Sequence, residues 1–311
     1  MFSSNSRLSL EMQKKIKSLQ VFLFDSPSYL QLALFRIILC GTLFYIALWR
    51  QINISQFGVD SLIPRDLALS VYADFYRPGF EWFFWPDSWA SSLHIFLILL
   101  LGFATLGLTN RFFLLLAWVI QQGLIHRNSA FLYGADTIGN LFLFYLAWTE
   151  CCEAFSLRKS TTMKSQVNTF SRDLSSVFFR LAQIQICIIY AYTGFEKLKG
   201  GSWWDGTALW TVLANPQFTA YDMKFLSHIP WIFPVLTFLT IIFEVYFPAM
   251  VLNPRFKKYW LIAGIFFHLM IGLLLGLMTF SLVMLSTYVL FLSAEDLQAF
   301  RLKIKQRILI S

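Results

Sequence analysis

The chain has 311 residues, of which 57% are hydrophobic and only 14% are charged. An ordinary soluble domain is about 45 to 50% apolar and about 25% charged, so a single soluble core is excluded. With 34 Phe and 11 Trp, the composition also excludes intrinsic disorder and a disulfide scaffold, and it predicts an all-α polytopic membrane protein.

Eight hydrophobic stretches follow one another along the chain, and most approach the ~20 residues that a helix needs to cross a bilayer. They predict a bundle of about eight transmembrane helices, at residues 29–49, 89–108, 112–125, 132–149, 174–195, 231–252, 259–276 and 278–293. The third stretch is short and the fourth carries Asp136, so the alternative is that these two form a re-entrant pair and leave six crossings.

The polar segments divide the chain into three parts, a cytoplasmic amphipathic segment 1–28, a transmembrane domain 29–293 and a basic cytoplasmic tail 294–311. Residues 8–24 suit a helix that lies on the inner membrane surface, against the alternative of a frayed tail. The two larger outer connections are rich in aromatic residues, which is typical of a membrane-interface belt, with a lid over a site as the alternative.

Basic residues cluster at the ends of the hydrophobic stretches. With the amino terminus placed in the cytoplasm, sixteen Lys and Arg residues fall on the inner side and seven on the outer side. Positive charge favours the cytoplasmic side, so the distribution predicts a multi-pass protein of the plasma membrane with both termini in the cytoplasm. The net charge of +8 therefore indicates membrane lipids as partners, and no nucleic acid.

Cysteines and histidines give no sign of a metal site. Their spacing fits no metal-binding motif, so we expect no metal. The four cysteines fall within spans or on the inner side, so no outer disulfide is expected. The adjacent Cys151 and Cys152 are a weak signal for acylation at a helix end.

Polar residues within the spans are the best markers of function, because ionisable groups are costly in a bilayer. The fifth predicted helix carries one inward stripe at steps of three and four residues, made of Arg180, Gln183, Cys187, Tyr190, Gly194 and Lys197. The next two predicted helices each present a polar or small face, made of Thr237, Thr240 and Glu244 in one and of Gly264, His268, Gly272 and Gly276 in the other.

Charged residues in the spans fall into two sets by depth. Arg36, Arg180 and Glu244 each lie about 10 Å from the inner end of their span, which predicts a structural ion pair between helices. Lys197 lies about 25 Å from Arg180, at the outer end. It is either a snorkelling anchor or a desolvated amine that acts as a base, and His268 is a second catalytic candidate or a hydrogen-bonded packing residue.

A longer pattern surrounds Lys197. Between Arg180 and Ala208 the chain has an Arg, a Gln, an aromatic-small-Gly turn, a Lys-Leu pair and a Trp-x-acid-Gly motif at Trp203, Asp205 and Gly206. With NSAFLYGAD at 128–136 and FHLMIGLLLGLMTFSLVML at 267–285, this pattern resembles the horizontally transferred transmembrane domain (HTTM) proteins, which include the vitamin K-dependent gamma-carboxylases.

The resemblance implies a reduced quinone of the vitamin K type as cofactor and no metal. It implies that Lys197 deprotonates the quinol, which with dioxygen becomes a base strong enough to remove a gamma proton from a substrate glutamate before carbon dioxide adds. The chain has Ser129 where the carboxylases have a histidine. The implied substrate or lipid site comprises Tyr190, Gly194, Trp203, Asp205, Gly206, Asn128 and Tyr133.

Two functional hypotheses follow. The first is a protein that binds a quinol-like lipid beside Lys197 at the outer face and modifies a small secreted or membrane substrate. The alternative is a non-catalytic membrane subunit for maturation or export of a peptide toxin or partner protein. It follows because residues 267–285, with FEVYF at 243–247 before them, also resemble a bacterial family member needed to mature a peptide toxin that delays sporulation. A third hypothesis is a transporter that uses Glu244, His268 and Arg180 as a relay.

Overall fold

All regular structure in the described residues of the computed structural model is helical, and these residues are 17, 20–58, 60, 61, 63–70, 78, 81–83, 85–128, 133–157, 169–217, 219, 221, 223–293 and 295–297. The α-helices are α1 (Tyr29–Arg50), α2 (Arg65–Ser70), α3 (Ala90–Leu106), α4 (Arg111–Arg127), α5 (Gly134–Ala147), α6 (Thr169–Lys197), α7 (Gly201–Trp204), α8 (Ala208–Leu213), α9 (Ile232–Leu252), α10 (Lys257–Leu274) and α11 (Met278–Tyr288). Four 3₁₀ helices join them, at Gln51–Phe57, Asp87–Trp89, Lys224–His228 and Val289–Phe291.

Each of the eight hydrophobic stretches contains an α-helix of 11 or more residues, and the all-α class is confirmed. Five helical segments are long and apolar enough to cross a membrane: Tyr29–Phe57, Asp87–Leu106, Thr169–Lys197, Ile232–Leu252 and Lys257–Leu274. Helix α4 has 17 residues, α5 has 14, and the final apolar helix is also short. A multi-pass membrane protein is therefore supported, whereas eight crossings and cytoplasmic termini stay predictions.

Helix α1 is the central element of the first half of the bundle. Ser28 caps its start through a capping box, in which its hydroxyl accepts from a backbone N–H of the first turn and Gln31 accepts from the Ser28 N–H. Leucine and phenylalanine side chains recur at three- and four-residue steps along one side of α1 and are fully buried. This side packs against α3, α5 and α11.

Polar contacts at the helix ends show how α5 and α11 run relative to α1. The Gln31 amide at the start of α1 donates to the Leu292 carbonyl oxygen, which follows α11. Arg50 at the other end of α1 pairs with Asp136 in the first turn of α5. Helices α5 and α11 therefore run antiparallel to α1, and Arg50 supplies the counter-charge for Asp136, which is fully buried.

The predicted pairing among Arg36, Arg180 and Glu244 is wrong. Arg36 is fully buried and donates to two backbone carbonyl oxygens in the connection after α5, at 2.9 and 2.6 Å. Arg180 pairs at 2.9 Å with Asp25, which precedes α1. Glu244 pairs with Lys197. The prediction failed because depth along a span does not show which residues outside the spans reach a guanidinium.

The predicted inward stripe of α6 is confirmed. Gln183, Cys187, Tyr190 and Gly194 are buried, while the adjacent face is exposed at Leu181, Ile184 and Ile188. The stripe packs against α9, whose polar residues Thr237, Thr240 and Glu244 are buried as well. Helix α6 thus turns a polar face to the bundle and an apolar face away from it.

Helices α6 and α9 approach most closely at Gly194. A Cβ atom there would lie 2.9 Å from the backbone nitrogen of Val245. We expect Gly194→Ala to lower the free energy of unfolding by about 1 to 3 kcal/mol, because the methyl group has to displace the backbone of α9. The matched control is Gly201→Ala, where nothing lies within 4 Å of the new Cβ, with an expected change within ~0.5 kcal/mol. Thermal unfolding in detergent measures both, and equal stability of the two variants would contradict the close packing.

Candidate functional site

A lysine and a glutamate form an ion pair between α6 and α9. The Nζ atom of Lys197 donates to Oε2 of Glu244 at 2.6 Å, and the two side chains are 22% and 8% exposed. The ring of Trp203 lies 5.3 Å from the same Nζ atom, within the range of a cation–π interaction. The three side chains therefore hold a charged pair in a partly desolvated position, where each charge depends on the other.

The pair lies beside the middle of α9. Glu244 follows the first residue of α9 by twelve positions and precedes the last by eight, which is about 18 Å and about 12 Å along the axis. Lys197 is the last residue of α6, and its place at the outer membrane face stays a prediction. After α6 the chain runs along α9: the Leu209 N–H donates to Thr237 of α9 at 3.3 Å, so α7 and α8 lie along the first half of α9.

The Trp-x-acid-Gly motif forms the turn that allows this course. Gly206 has a φ of +79°, and a Cβ atom there would lie 2.8 Å from Pro234, so the position requires glycine. Asp205 accepts from the backbone N–H and the hydroxyl of Thr207 at 2.9 and 2.5 Å. These hydrogen bonds hold the pKa of Asp205 below its ordinary value, so the carboxylate stays ionised and fixes the turn before α8.

A buried cluster of hydroxyl and imidazole groups lies seven residues before Lys197 on α6. The Tyr190 hydroxyl is 2.5 Å from Nε2 of His268 and 2.7 Å from the Tyr288 hydroxyl, and its ring stacks on Phe247 at 3.9 Å. In the described part of the chain, the buried Nδ1 atom of His268 has no hydrogen-bond partner. The cluster joins α6, α9, α10 and α11, and it can hold a shared proton.

Lys197 and His268 have different hydrogen-bond partners. His268 contacts Tyr190, and seven helical residues place Lys197 about 10 Å farther along α6. Along α6, the contact with His268 and the contact with Glu244 therefore lie at two different levels. Gly194 lies between these levels, opposite Val245.

Asn128 and Tyr133 contact other parts of the bundle. The Asn128 amide donates to the Gln56 carbonyl oxygen at 2.7 Å, and the Tyr133 hydroxyl bonds to the Thr279 hydroxyl. Neither contact involves α6 or α9, so these interactions do not bring the two residues to Lys197. The rest of the motif between them, residues 129–132, lies outside the described residues.

Sequence analysis missed Tyr288 and the true partner of Glu244. A tyrosine in an apolar span is a weak signal, because its ring packs equally well against lipid or protein. The usable signal is Gly264 in the small-residue stripe of α10: a Cβ atom there would overlap the Tyr288 hydroxyl. The stripe predicted a close helix approach correctly, without indicating which bulky residue makes it.

An apolar cavity of about 730 Å³ lies between α8, α9 and α10. Its wall includes Leu213, Phe243, Trp260, Ala263 and Phe267, and Thr240 contributes a polar residue one turn before Glu244. The residues that line it include neither Lys197 nor His268. Within the described residues, no group of three His, Cys, Asp or Glu side chains is placed to hold a metal ion.

Two proteins of Bacillus subtilis (strain 168) are similar to this chain. The chain is 26% identical over 203 residues to the sporulation-delaying protein SdpB, and this alignment covers 63% of the chain and 62% of SdpB. It is 26% identical over 137 residues to the uncharacterized protein YitO, and this alignment covers 41% of the chain and 43% of YitO. No protein-family model and no solved structure matches the chain. The matches support the resemblance to the bacterial sporulation-delaying protein, whereas the HTTM and gamma-carboxylase resemblance stays a prediction.

The ion pair makes a stability prediction. We expect Lys197→Met to lower the free energy of unfolding by about 3 to 5 kcal/mol, because it leaves the buried Glu244 carboxylate without its cation. The double variant Lys197→Met, Glu244→Leu should recover most of this loss, since an apolar pair needs no counter-charge. Thermal unfolding in detergent measures both, with Lys199→Met as the control at a position that is 70% exposed. A single variant as stable as the wild type would show that Glu244 does not depend on Lys197.

Proposed function

We propose that this protein is a membrane subunit that assists the maturation or export of a small secreted peptide, with the Lys197–Glu244 pair and Trp203 as its working site. The observation that carries the proposal is the ion pair itself, which is held beside the middle of a membrane helix. The sequence similarity to SdpB, a sporulation-delaying protein, independently supports this proposal.

The pair suits a peptide because a peptide brings charges of both signs into the membrane domain. A carboxylate or an ammonium group is costly in lipid unless a partner of opposite charge is present. When the pair opens, Lys197 can bind a carboxylate of the peptide and Glu244 can bind an ammonium group. The side chains are 22% and 8% exposed, so the lysine is the more accessible half and meets the peptide first.

A complementation experiment tests this role. The gene is deleted in its host, variants are reintroduced, and the secreted peptides are compared by mass spectrometry. We expect Lys197→Ala to reduce the mature secreted peptide at least about tenfold, because that ratio corresponds to about 1.4 kcal/mol and a charged hydrogen bond contributes that much or more. The matched control is Lys199→Ala, which removes an exposed lysine two residues away that pairs with Glu196. Immunoblots of the membrane fraction check that all variants accumulate.

A charge swap separates a structural role from a functional one. Lys197→Glu with Glu244→Lys keeps an ion pair between α6 and α9 but exchanges the positions of the two charges. We expect this variant to accumulate normally and to secrete as little peptide as Lys197→Ala. Full secretion by the swapped variant would show that the pair only holds α6 and α9 together and does not bind the peptide. If deletion of the gene leaves the secreted peptides unchanged, the whole proposal is rejected.

A second candidate function is the binding of a lipid-soluble molecule, and its supporting observation is the apolar cavity between α8, α9 and α10. A volume of about 730 Å³ is in the range of small-molecule sites, and the nearly all-apolar wall suits a quinone or a similar lipid. This binding does not depend on Lys197 as a base, since Lys197 donates to Glu244 and is not among the residues that line the cavity.

Cavity filling tests this binding. Ala263→Phe introduces a ring into the cavity, whereas Ile265→Phe introduces the same ring on an exposed part of α10 that does not line it. We expect mass spectrometry of gently extracted protein to detect a co-purifying quinone or lipid in the wild type and in Ile265→Phe, and several-fold less in Ala263→Phe. Identical recovery from all three proteins would show that the molecule binds elsewhere.

A further inference from the structure

Two adjacent cysteines lie in the connection that follows α5, away from the site at Lys197. Their Sγ atoms are 3.9 Å apart. Cys151 is 1% exposed, whereas Cys152 is half-buried and so remains open to a reagent. This turn therefore holds the buried thiol of Cys151 in contact with the accessible thiol of Cys152.

A buried arginine supplies positive charge to this turn. Arg36 of α1 donates to the Cys151 carbonyl oxygen at 2.9 Å and to the Phe155 carbonyl oxygen at 2.6 Å. Its Nε atom is buried and has no hydrogen-bond partner in the described part of the chain. Phe155 has a φ of +45°, which a bulky residue rarely adopts, so the connection is held around the guanidinium against a local preference.

We propose that Cys151 and Cys152 form a redox-active dithiol, in which Cys152 attacks a disulfide and Cys151 resolves the product. The Cys152 thiolate attacks one sulfur of an incoming disulfide, forms a mixed disulfide and releases the first thiolate of that molecule. Cys151 then loses its proton, attacks the Cys152 sulfur and releases the second thiol. The incoming disulfide is reduced to two thiols, and the protein dithiol is oxidised to a Cys151–Cys152 disulfide.

The division of roles follows from the surroundings of the two sulfurs. The hydrogen bond from Cys151 and then the charge of Arg36 lower the pKa of Cys152 to about 6, against the opposing effect of burial. The same hydrogen bond and complete burial raise the pKa of Cys151 well above its ordinary value. A hydrogen bond from the Thr109 backbone also lowers the pKa of Cys152, and the buried thiol of Cys40 on α1 contributes to raising the pKa of Cys151. The accessible sulfur is therefore the ionised one.

The test uses the full-length protein in detergent, reduced and then treated with oxidised glutathione, followed by peptide mass spectrometry. In the wild type we expect the peptide that contains both cysteines to lose two hydrogens. Cys151→Ser should accumulate a glutathione adduct on Cys152, since the resolving thiol is gone, and Cys152→Ser should form at least about tenfold less adduct. Equal adduct formation in the two variants would overturn the assignment.

Alkylation of the wild type by iodoacetamide supplies a second measurement that needs no variant. We expect the Cys152 reaction rate to reach half its maximum near pH 6, against about 8.5 for an ordinary thiol. The buried Cys40 and Cys187 serve as internal controls that react only after unfolding. A half-maximum near pH 8.5 would overturn the proposal, as would a fatty acyl thioester on Cys152 in the protein as isolated, which would make this an acylation site.

Discussion

The contact between Lys197 and Glu244 constrains the architecture of the second half of the bundle. Because an unpaired charge is costly away from water, α6 has to end where its terminal lysine meets a carboxylate in the middle of α9. The chain must then cover the remaining half of α9 with something shorter than a full helix. Helices α7 and α8 do this, and the left-handed turn at Gly206 sets their direction.

This constraint explains why several small or aromatic residues surround the pair. Gly194 lets the backbones of α6 and α9 come close enough for a lysine on one to reach a glutamate on the other. The ring of Trp203 lies 5.3 Å from the ammonium nitrogen and gives it a favourable electrostatic contact. The turn at Gly206, the ring of Trp203 and the close helix approach at Gly194 therefore all support the same ion pair.

Periodicity and hydropathy were enough to predict the helices and the inward stripe of α6, because burial of one face is a local property that the spacing of residues records. Pairing across helices was not predictable in the same way. Depth along a span placed Glu244 and Lys197 at opposite ends of the bundle, whereas the side chain of Lys197, the last residue of the 29-residue α6, pairs with Glu244. The partners of Arg36 are backbone carbonyl oxygens, which leave no trace in a sequence.

The charges of Lys197 and Arg36 are compensated in different ways, and this difference separates their chemistry. Glu244 neutralises Lys197, so that site is charge-balanced and responds to a ligand only by opening the pair. Arg36 donates to carbonyl oxygens, which carry only partial charge, so these contacts leave its full positive charge unbalanced. A neighbouring group that can become an anion lowers the energy of such a site by ionising. Cys152 is that group, and so the connection after α5 favours a thiolate where the Lys197 site favours a paired amine.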